Sequence, residues 1–289
     1  MNVGTVAILG PGIVGGSIAL ALAKGNLADK IVIYARREAA FPEIKAKLPQ
    51  AECTADVKLA VRDANIVILC VPIEKMAKLV AEFADSLKPT ALVTDVGSVK
   101  GNVEKEIAPL LAGKALWIGS HPMAGIEQAG FAVAHADLFE GAAIIITPTR
   151  RTQHDAERRA EDFWRALGGR VLVHEPIWHD LAVAQVSHIP HLIAAELIKN
   201  VSKKSMDAAG PGLRDTTRVA SGSPELWTEI IWANREAIQA ALVPFIQELQ
   251  GIQESLSGAD KSRLRDTLQY AHDLRAQMIA TNPIFKKHK

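Results

Sequence analysis

Short, continuously apolar runs rich in β-branched residues punctuate the first half of the chain. "TVAILG" (5–10), "KIVIYA" (30–35), "NIVILCVP" (65–72) and "ALVTDV" (91–96) are each bounded by turn residues, the pattern of strands buried on both faces. Between them apolar positions recur at helical spacing, as in "GGSIALALAKG" (15–25) and "IEKMAKLVAEFADSL" (73–87). Strands alternating with helices predict a parallel sheet with right-handed crossovers. Three more strands are predicted at "ALWIGS" (115–120), "AAIIITP" (142–148) and "RVLVHE" (170–175).

After "HEPIWHD" (174–180) the pattern changes to long amphipathic runs: "LAVAQVSHIPHLIAAELIKNV", "PELWTEIIWANREAIQAALVPFIQELQ" and "KSRLRDTLQYAHDLRAQMIA". Pro244 lies inside the second run, and periodicity resumes beyond it, so a bend is expected there and not a helix end. The pattern places a domain boundary near residue 175, between an α/β domain at 1–175 and an all-α domain at 176–289. Helices with large apolar faces in so short a segment carry more hydrophobic surface than one copy can cover. A homodimer through the helical domain is therefore expected.

Composition narrows the function classes. The 289 residues are 48% hydrophobic and 22% charged with a formal net charge of +1, which removes any global electrostatic case for nucleic acid or an acidic membrane surface. Cys53 and Cys70 lack metal-type spacing and read as two reduced thiols. The N-terminus runs straight into a strand without a secretory leader, and no apolar run approaches the roughly 20 residues that span a bilayer. The expectation is a cytoplasmic protein with a small-molecule substrate and no nucleic-acid or membrane partner.

The chemistry begins at "GPGIVGGS" (10–17), which matches G-x-G-x-x-G with Gly10, Gly12 and Gly15. The string alone is weak, and a plain strand–helix turn is the alternative. Here it follows a strand and opens a helix, the context a dinucleotide requires. Gly10 permits the tight turn, Gly12 lets backbone approach the pyrophosphate, and Gly15 allows close helix–strand packing. Ile13 and Val14 at the helix N-terminus complete the phosphate cradle. The first domain is thus expected to be Rossmann-type. Where an acid would bind the ribose of NAD, the second strand ends in Ala35, Arg36 and Arg37. Paired guanidiniums suit a 2′-phosphate, so NADP is favoured, while Glu38 keeps NAD open.

Two loops after later strands are expected to face the nicotinamide. "DVGSVKG" (95–101) carries Asp95, Ser98 and Lys100, and "GSHPMAG" (119–125) carries His121. A serine and a histidine there suit removal of a hydroxyl proton while hydride leaves the same carbon; otherwise His121 is a turn histidine. In the helical half, "HDLAVAQVSHIPH" (179–191) holds His179, Asp180, His188 and His191. The HxxH spacing of the last two raises a metal site, but without a zincin glutamate or a nearby cysteine no metal is expected. "GPGLRDTTRVASGSPELW" (210–227) holds Arg214, Asp215 and Arg218; a carboxylate clamp and a surface salt bridge both fit Arg218.

The glycine loop, "DVGSVK", "GSHPMAG", "HD" followed by "SHIPH", and "LRDTTRVASGSPELW" occur in the order seen in prephenate/arogenate (cyclohexadienyl) dehydrogenases, and the chain resembles that family over nearly its whole length. The resemblance implies oxidative decarboxylation of prephenate or arogenate with NAD(P), in tyrosine biosynthesis. It implies that His121 accepts the proton of the ring hydroxyl and that Ser98 hydrogen-bonds near that hydroxyl and the nicotinamide. It makes Arg218 the binder of a substrate carboxylate, with His191 and Trp227 lining the pocket. Glu127, Asp180 and Asp215 resemble acidic residues that shape or gate the site. His191 leans the expectation towards prephenate. Rival readings are another dehydrogenase of Rossmann plus helical architecture, of β-hydroxyacid dehydrogenase or imine reductase type, and a non-catalytic NADP sensor. The first explains the architecture but not "SHPMAG" together with "RDTTR".

Overall fold

The computed structural model describes residues 2–124 and 130–281. The chain begins β1 (Thr5–Leu9), α1 (Ile13–Lys24), β2 (Lys30–Tyr34), α2 (Phe41–Lys47), β3 (Glu52–Thr54), α3 (Val57–Val61), β4 (Ile66–Leu69), α4 (Ile73–Phe83) and β5 (Leu92–Asp95). It continues through α5 (Gly101–Leu111), β6 (Leu116–Trp117), β7 (Gly119–Pro122), β8 (Ala143–Thr147), α6 (His154–Ala166) and β9 (Arg170–Val173). The helical part comprises α7 (Pro176–Val183), α8 (Ile189–Lys199), α9 (Pro211–Thr217), α10 (Pro224–Ala233), α11 (Arg235–Ser257) and α12 (Lys261–Thr281).

Six parallel strands form one sheet in the order β3-β2-β1-β4-β5-β6. The order reverses beside β1, which opens a crevice at the carboxyl ends of β1 and β4. Strand periodicity divides the core. Val6 and Ile8 of β1 face Ile18 and Leu22 of α1 and Phe163 and Trp164 of α6, while Ala7 and Leu9 face the layer of Val61, Val80, Phe83 and Ile107. Both faces are covered, so the strands read as unbroken apolar runs.

The later strands depart from expectation. The run 115–120 is not one strand: β6 ends at Trp117, and after Ile118 the chain enters a separate three-stranded sheet, β7-β8-β9. In that sheet β7 is antiparallel to β8, with His121 opposite Ile145. The histidine predicted to lie in a loop is therefore on a strand. Its ladder fixes the backbone more firmly than a turn would.

Pro176–Lys199 forms one continuous helical stretch of 24 residues, long and apolar enough to cross a membrane by length and composition. That corrects the reading that no segment approaches such a length. His179, Asp180 and His188 within it make hydrogen bonds to Lys100 at the start of α5, His121 of β7 and Asn234 at the end of α10. Pro190 removes one i→i−4 donor and its ring crowds the preceding turn. The segment Ala184–His188 widens to π geometry there.

Contacts divide the chain into two compact units, Met1–Arg235 and Glu236–Lys289. The long run predicted from Pro224 is interrupted at Asn234, whose backbone leaves helical geometry between α10 and α11. Helix α11 runs through Pro244, as expected. Within the second unit Asp260 caps α12, accepting from Arg263 N at 3.0 Å. No residue of α12 is buried, and Leu268, Tyr270, Leu274 and Met278 lie exposed along it.

Candidate active site

The glycine loop leaves β1 at the crevice. Gly10 adopts φ +120°, and a Cβ there would meet the Cys70 carbonyl oxygen at 2.4 Å. A Cβ on Gly15 would lie 2.2 Å from Gly10 O, so α1 packs against the loop at a distance only glycine permits. A Cβ on Gly12 would have nothing within 4 Å. Gly12 is also the N-cap of α1 and offers no side-chain cap, so the first amides of the helix, from Ile13 and Val14 onward, have no side-chain acceptor. Open space beside uncapped amides and the positive dipole end fits a dinucleotide pyrophosphate. Gly10 N donates to Tyr34 O at 3.1 Å, which sets this loop beside the end of β2. Arg36 and Arg37 follow the end of β2 after the buried Ala35 and are exposed.

Ser98 is half-buried in the loop between β5 and α5. Asp95 and Lys100 anchor that loop as a fully buried ion pair. Lys100 Nζ also donates to Ser120 O at 2.8 Å, and Asp95 accepts from Gly97 N and Ser120 N. Burial pulls the Lys100 ammonium's pKa down, and the Asp95 carboxylate opposes this by holding the charge. Removing one partner of such a pair costs about 3–5 kcal/mol. Ser120 Oγ is bonded to Thr94 at 2.7 Å and to Trp164 Nε1 at 3.0 Å. The residue before His121 is thus held from three sides, by the end of β5, by Lys100 and by Trp164 of α6.

His121 is buried, and its Nδ1 lies 2.8 Å from Nε2 of His179 on α7. Nδ1 of His179 lies 2.8 Å from Asp180 Oδ1. Asp180 also accepts from Lys100 N and Gly101 N, each at 2.8 Å, and so caps α5. One carboxylate thereby ties the Ser98 loop, α7 and the His121 strand together. Burial, then the neighbouring His179, Lys100 and His188, hold the His121 pKa well below the usual histidine value. Its ring is neutral at physiological pH and ready to take a proton.

A second cluster lies further along the same helical stretch. His191 of α8 stacks on Trp227 of α10 with ring centroids 3.6 Å apart and planes 15° apart. A Cβ on Gly222 would meet Trp227 Nε1 at 2.4 Å and His191 Cε1 at 3.3 Å, so this glycine lets the chain close over the stack. His191 Nδ1 is buried without a hydrogen-bond partner. His188 instead bonds Asn234 Nδ2 through Nδ1 at 3.0 Å, and the same amide reaches Asp180 O. The HxxH pair is therefore committed to different neighbours, and no metal-type cluster occurs among the described residues.

Arg218 opens the exposed turn Arg218–Ser221, four residues before Gly222. Asp215 is exposed and paired with Arg214 at 2.8 Å, and that guanidinium lowers the Asp215 pKa. Glu127 lies outside the described residues. Sequence reading named His179 without giving it a role, and it missed Ser120, Trp164 and Asn234. Nothing in local spacing signals these four. Only the adjacency of "HD" marks His179.

Comparison with known proteins adds the family. The family model described as "Prephenate dehydrogenase, nucleotide-binding domain" matches residues 18–173, and the one described as "Prephenate dehydrogenase, dimerization domain" matches residues 175–270. The chain belongs to the prephenate dehydrogenase family. Within it, the chain is 34% identical over 288 residues to the cyclohexadienyl dehydrogenase of Zymomonas mobilis, covering 93% of this chain and 98% of that one. Among solved family structures, prephenate dehydrogenase from Aquifex aeolicus in complex with hydroxyphenyl propionate and NAD+ is similar with a TM-score of 0.86. It is 26% identical and covers 96% of this chain and 98% of its own. Arogenate dehydrogenase from Synechocystis is similar with a TM-score of 0.82 and 29% identity, covering 96% and 99%.

Proposed function

We propose that the protein catalyses the NAD(P)-dependent oxidative decarboxylation of prephenate or arogenate, yielding 4-hydroxyphenylpyruvate or tyrosine. The observation that carries this reading is a buried, neutral His121 on β7, hydrogen-bonded through Nδ1 so that Nε2 serves the substrate, beside the Ser98 loop at the carboxyl edge of a dinucleotide-type sheet. The nicotinamide, when bound, supplies the hydride acceptor. Gly10, Gly12, Gly15 and the first amides of α1 hold the pyrophosphate, and Arg36 and Arg37 favour the 2′-phosphate of NADP over NAD.

His121 Nε2 receives the ring hydroxyl proton, and Ser98 orients that hydroxyl. The dienone so formed loses its ring carboxylate as CO2, driven by aromatisation. Arg218 binds a substrate carboxylate, and Gly222 four residues on brings its turn to the His191–Trp227 stack. The unpartnered Nδ1 of His191, as Nδ1–H, donates a hydrogen bond to the keto oxygen of the substrate side chain, which favours prephenate. Asp180 shapes the site through His179, and Glu127 and Asp215 gate it.

The nucleotide-binding and helical parts meet near residue 175. The helical part forms a homodimer, supported by the apolar residues exposed along α12 and by the description of the matching family model. A single-chain mass independent of concentration contradicts the dimer. The protein works in the cytoplasm on a small-molecule substrate. Initial rates with prephenate and arogenate, each with NADP and NAD, test substrate and cofactor together.

A further inference from the structure

His179 is fully buried, yet both ring nitrogens are engaged, Nε2 with His121 and Nδ1 with Asp180. The Asp180 carboxylate only accepts hydrogen bonds, and it already takes two from the backbone at the start of α5. His179 must therefore present Nδ1–H to it, which leaves Nε2 of His179 as an acceptor. The proton between the two histidines then belongs to Nδ1 of His121, and Nε2 of His121 carries the lone pair. One carboxylate thus sets the tautomer of the base two side chains away.

We propose that His179 both fixes this tautomer and takes the proton onward from His121, so that the charge rests on His179 against Asp180. The inference deepens the proposed function and rests on it. The substrate O–H bond breaks and a bond from that hydrogen to His121 Nε2 forms. The Nδ1–H bond of His121 breaks and an N–H bond to His179 Nε2 forms. The electron pair of the substrate oxygen becomes the second bond of the new carbonyl as hydride departs to the NAD(P) already proposed. His121 ends neutral and His179 ends as an imidazolium.

The surrounding charges support that resting place. His121 is faced by Lys100, His188 and His179, all cationic or able to become so. His179 is faced by Asp180 and Asp95 as well as by Lys100 and His121. Burial lowers the pKa of both histidines, but only at His179 do carboxylates oppose it. A cation on His179 forms a hydrogen-bonded pair, whereas one on His121 is surrounded by like charges.

His179→Gln separates the relay from simple packing, because its amide oxygen, at the position of Nε2, still accepts from His121 Nδ1–H but cannot take up a proton. The expected result is a kcat lower by roughly 10–100-fold with KM within about twofold. The acidic limb of the kcat profile should move to lower pH, since the buried His121 then titrates alone. An unchanged kcat, or a fall with the limb unmoved, overturns the proposal. Long-range 15N–1H correlation of the histidine rings in the wild-type protein gives a readout that needs no turnover or variant. Both rings should carry the proton on Nδ1, and on acidification His179 should gain the second proton before His121. An Nε2–H tautomer at His121, or earlier protonation there, overturns the relay. Lack of turnover with every cyclohexadienol tried would instead count against the proposed reaction.

Discussion

Alanine at Gly12 and at Gly15 should fail in opposite ways, although the two glycines belong to one loop. At Gly15 the new methyl lies 2.2 Å from Gly10 O, with Ile8 Cγ2 and Cys70 Cβ at 3.0 and 3.1 Å. The closest of these is backbone, and it moves only if the loop moves. Overpacking of this kind costs about 1–3 kcal/mol. At about 2–4 °C per kcal/mol for a unit of this size, Tm should fall by roughly 2–12 °C. At Gly12 the backbone (φ −80°, ψ −170°) suits any L-residue and no atom lies within 4 Å. A somewhat poorer cap is offset by about 0.4–1 kcal/mol from a less flexible unfolded chain. Tm should stay within a degree or two by the same scaling. The open space beside Gly12 is where the pyrophosphate is proposed to sit, so KM for NAD(P) should rise about tenfold or more, equivalent to about 1.4 kcal/mol of lost binding. Scanning calorimetry and cofactor titration on both variants separate the effects. A Gly12→Ala variant with unchanged cofactor KM refutes the cofactor assignment of the loop, and a Gly15→Ala variant with unchanged Tm refutes the packing argument.

Three further outcomes are expected. His121→Asn should lower kcat by about 10²-fold or more while substrate KM changes little, since it removes the proton acceptor and keeps a polar side chain; near-normal turnover refutes the role. Arg218→Ala should mainly raise substrate KM by removing a charge-assisted contact; a loss of stability alone, with KM intact, makes it a structural salt bridge. Burial is the main cause that lowers the His188 pKa to about 4, from 6.5. Its folded-state pKa is depressed, so stability is fully present above pH 6.5 and is lost as pH falls towards 4. That one group contributes about 3 kcal/mol across the window. His121, His179 and His191 are shifted in the same direction. Urea unfolding at pH 7.5 and 4.5 should show the loss, and equal stabilities would contradict it.

Much of this was legible because burial on both faces leaves a plain imprint on sequence. β1, β2, β4 and β5 are continuous apolar runs, and Gly10 and Gly15 sit where only glycine fits. β3 was not legible, since Glu52–Thr54 is short and carries an exposed acid at its start. The division between β6 and β7 was invisible because Ile118 is as buried as the strand residues on either side, so the apolar run hides a change of sheet. His121 was singled out by its place after a later strand near Ser98, and His191 and Trp227 were named as pocket residues only through motif resemblance. His179 acquires its role only through contacts across 58 residues of sequence, which no local pattern encodes. Asn234 likewise breaks a run whose apolar spacing continues through it, because its side chain bonds Asp180 O and His188 and its backbone departs from helix geometry.

The central claim is the reaction itself, and the most direct measurement is the initial rate of the purified protein with prephenate and with arogenate, each with NADP and with NAD. The account predicts NAD(P)H formation with release of CO2, fastest with prephenate and NADP. Absence of turnover in all four combinations would contradict it.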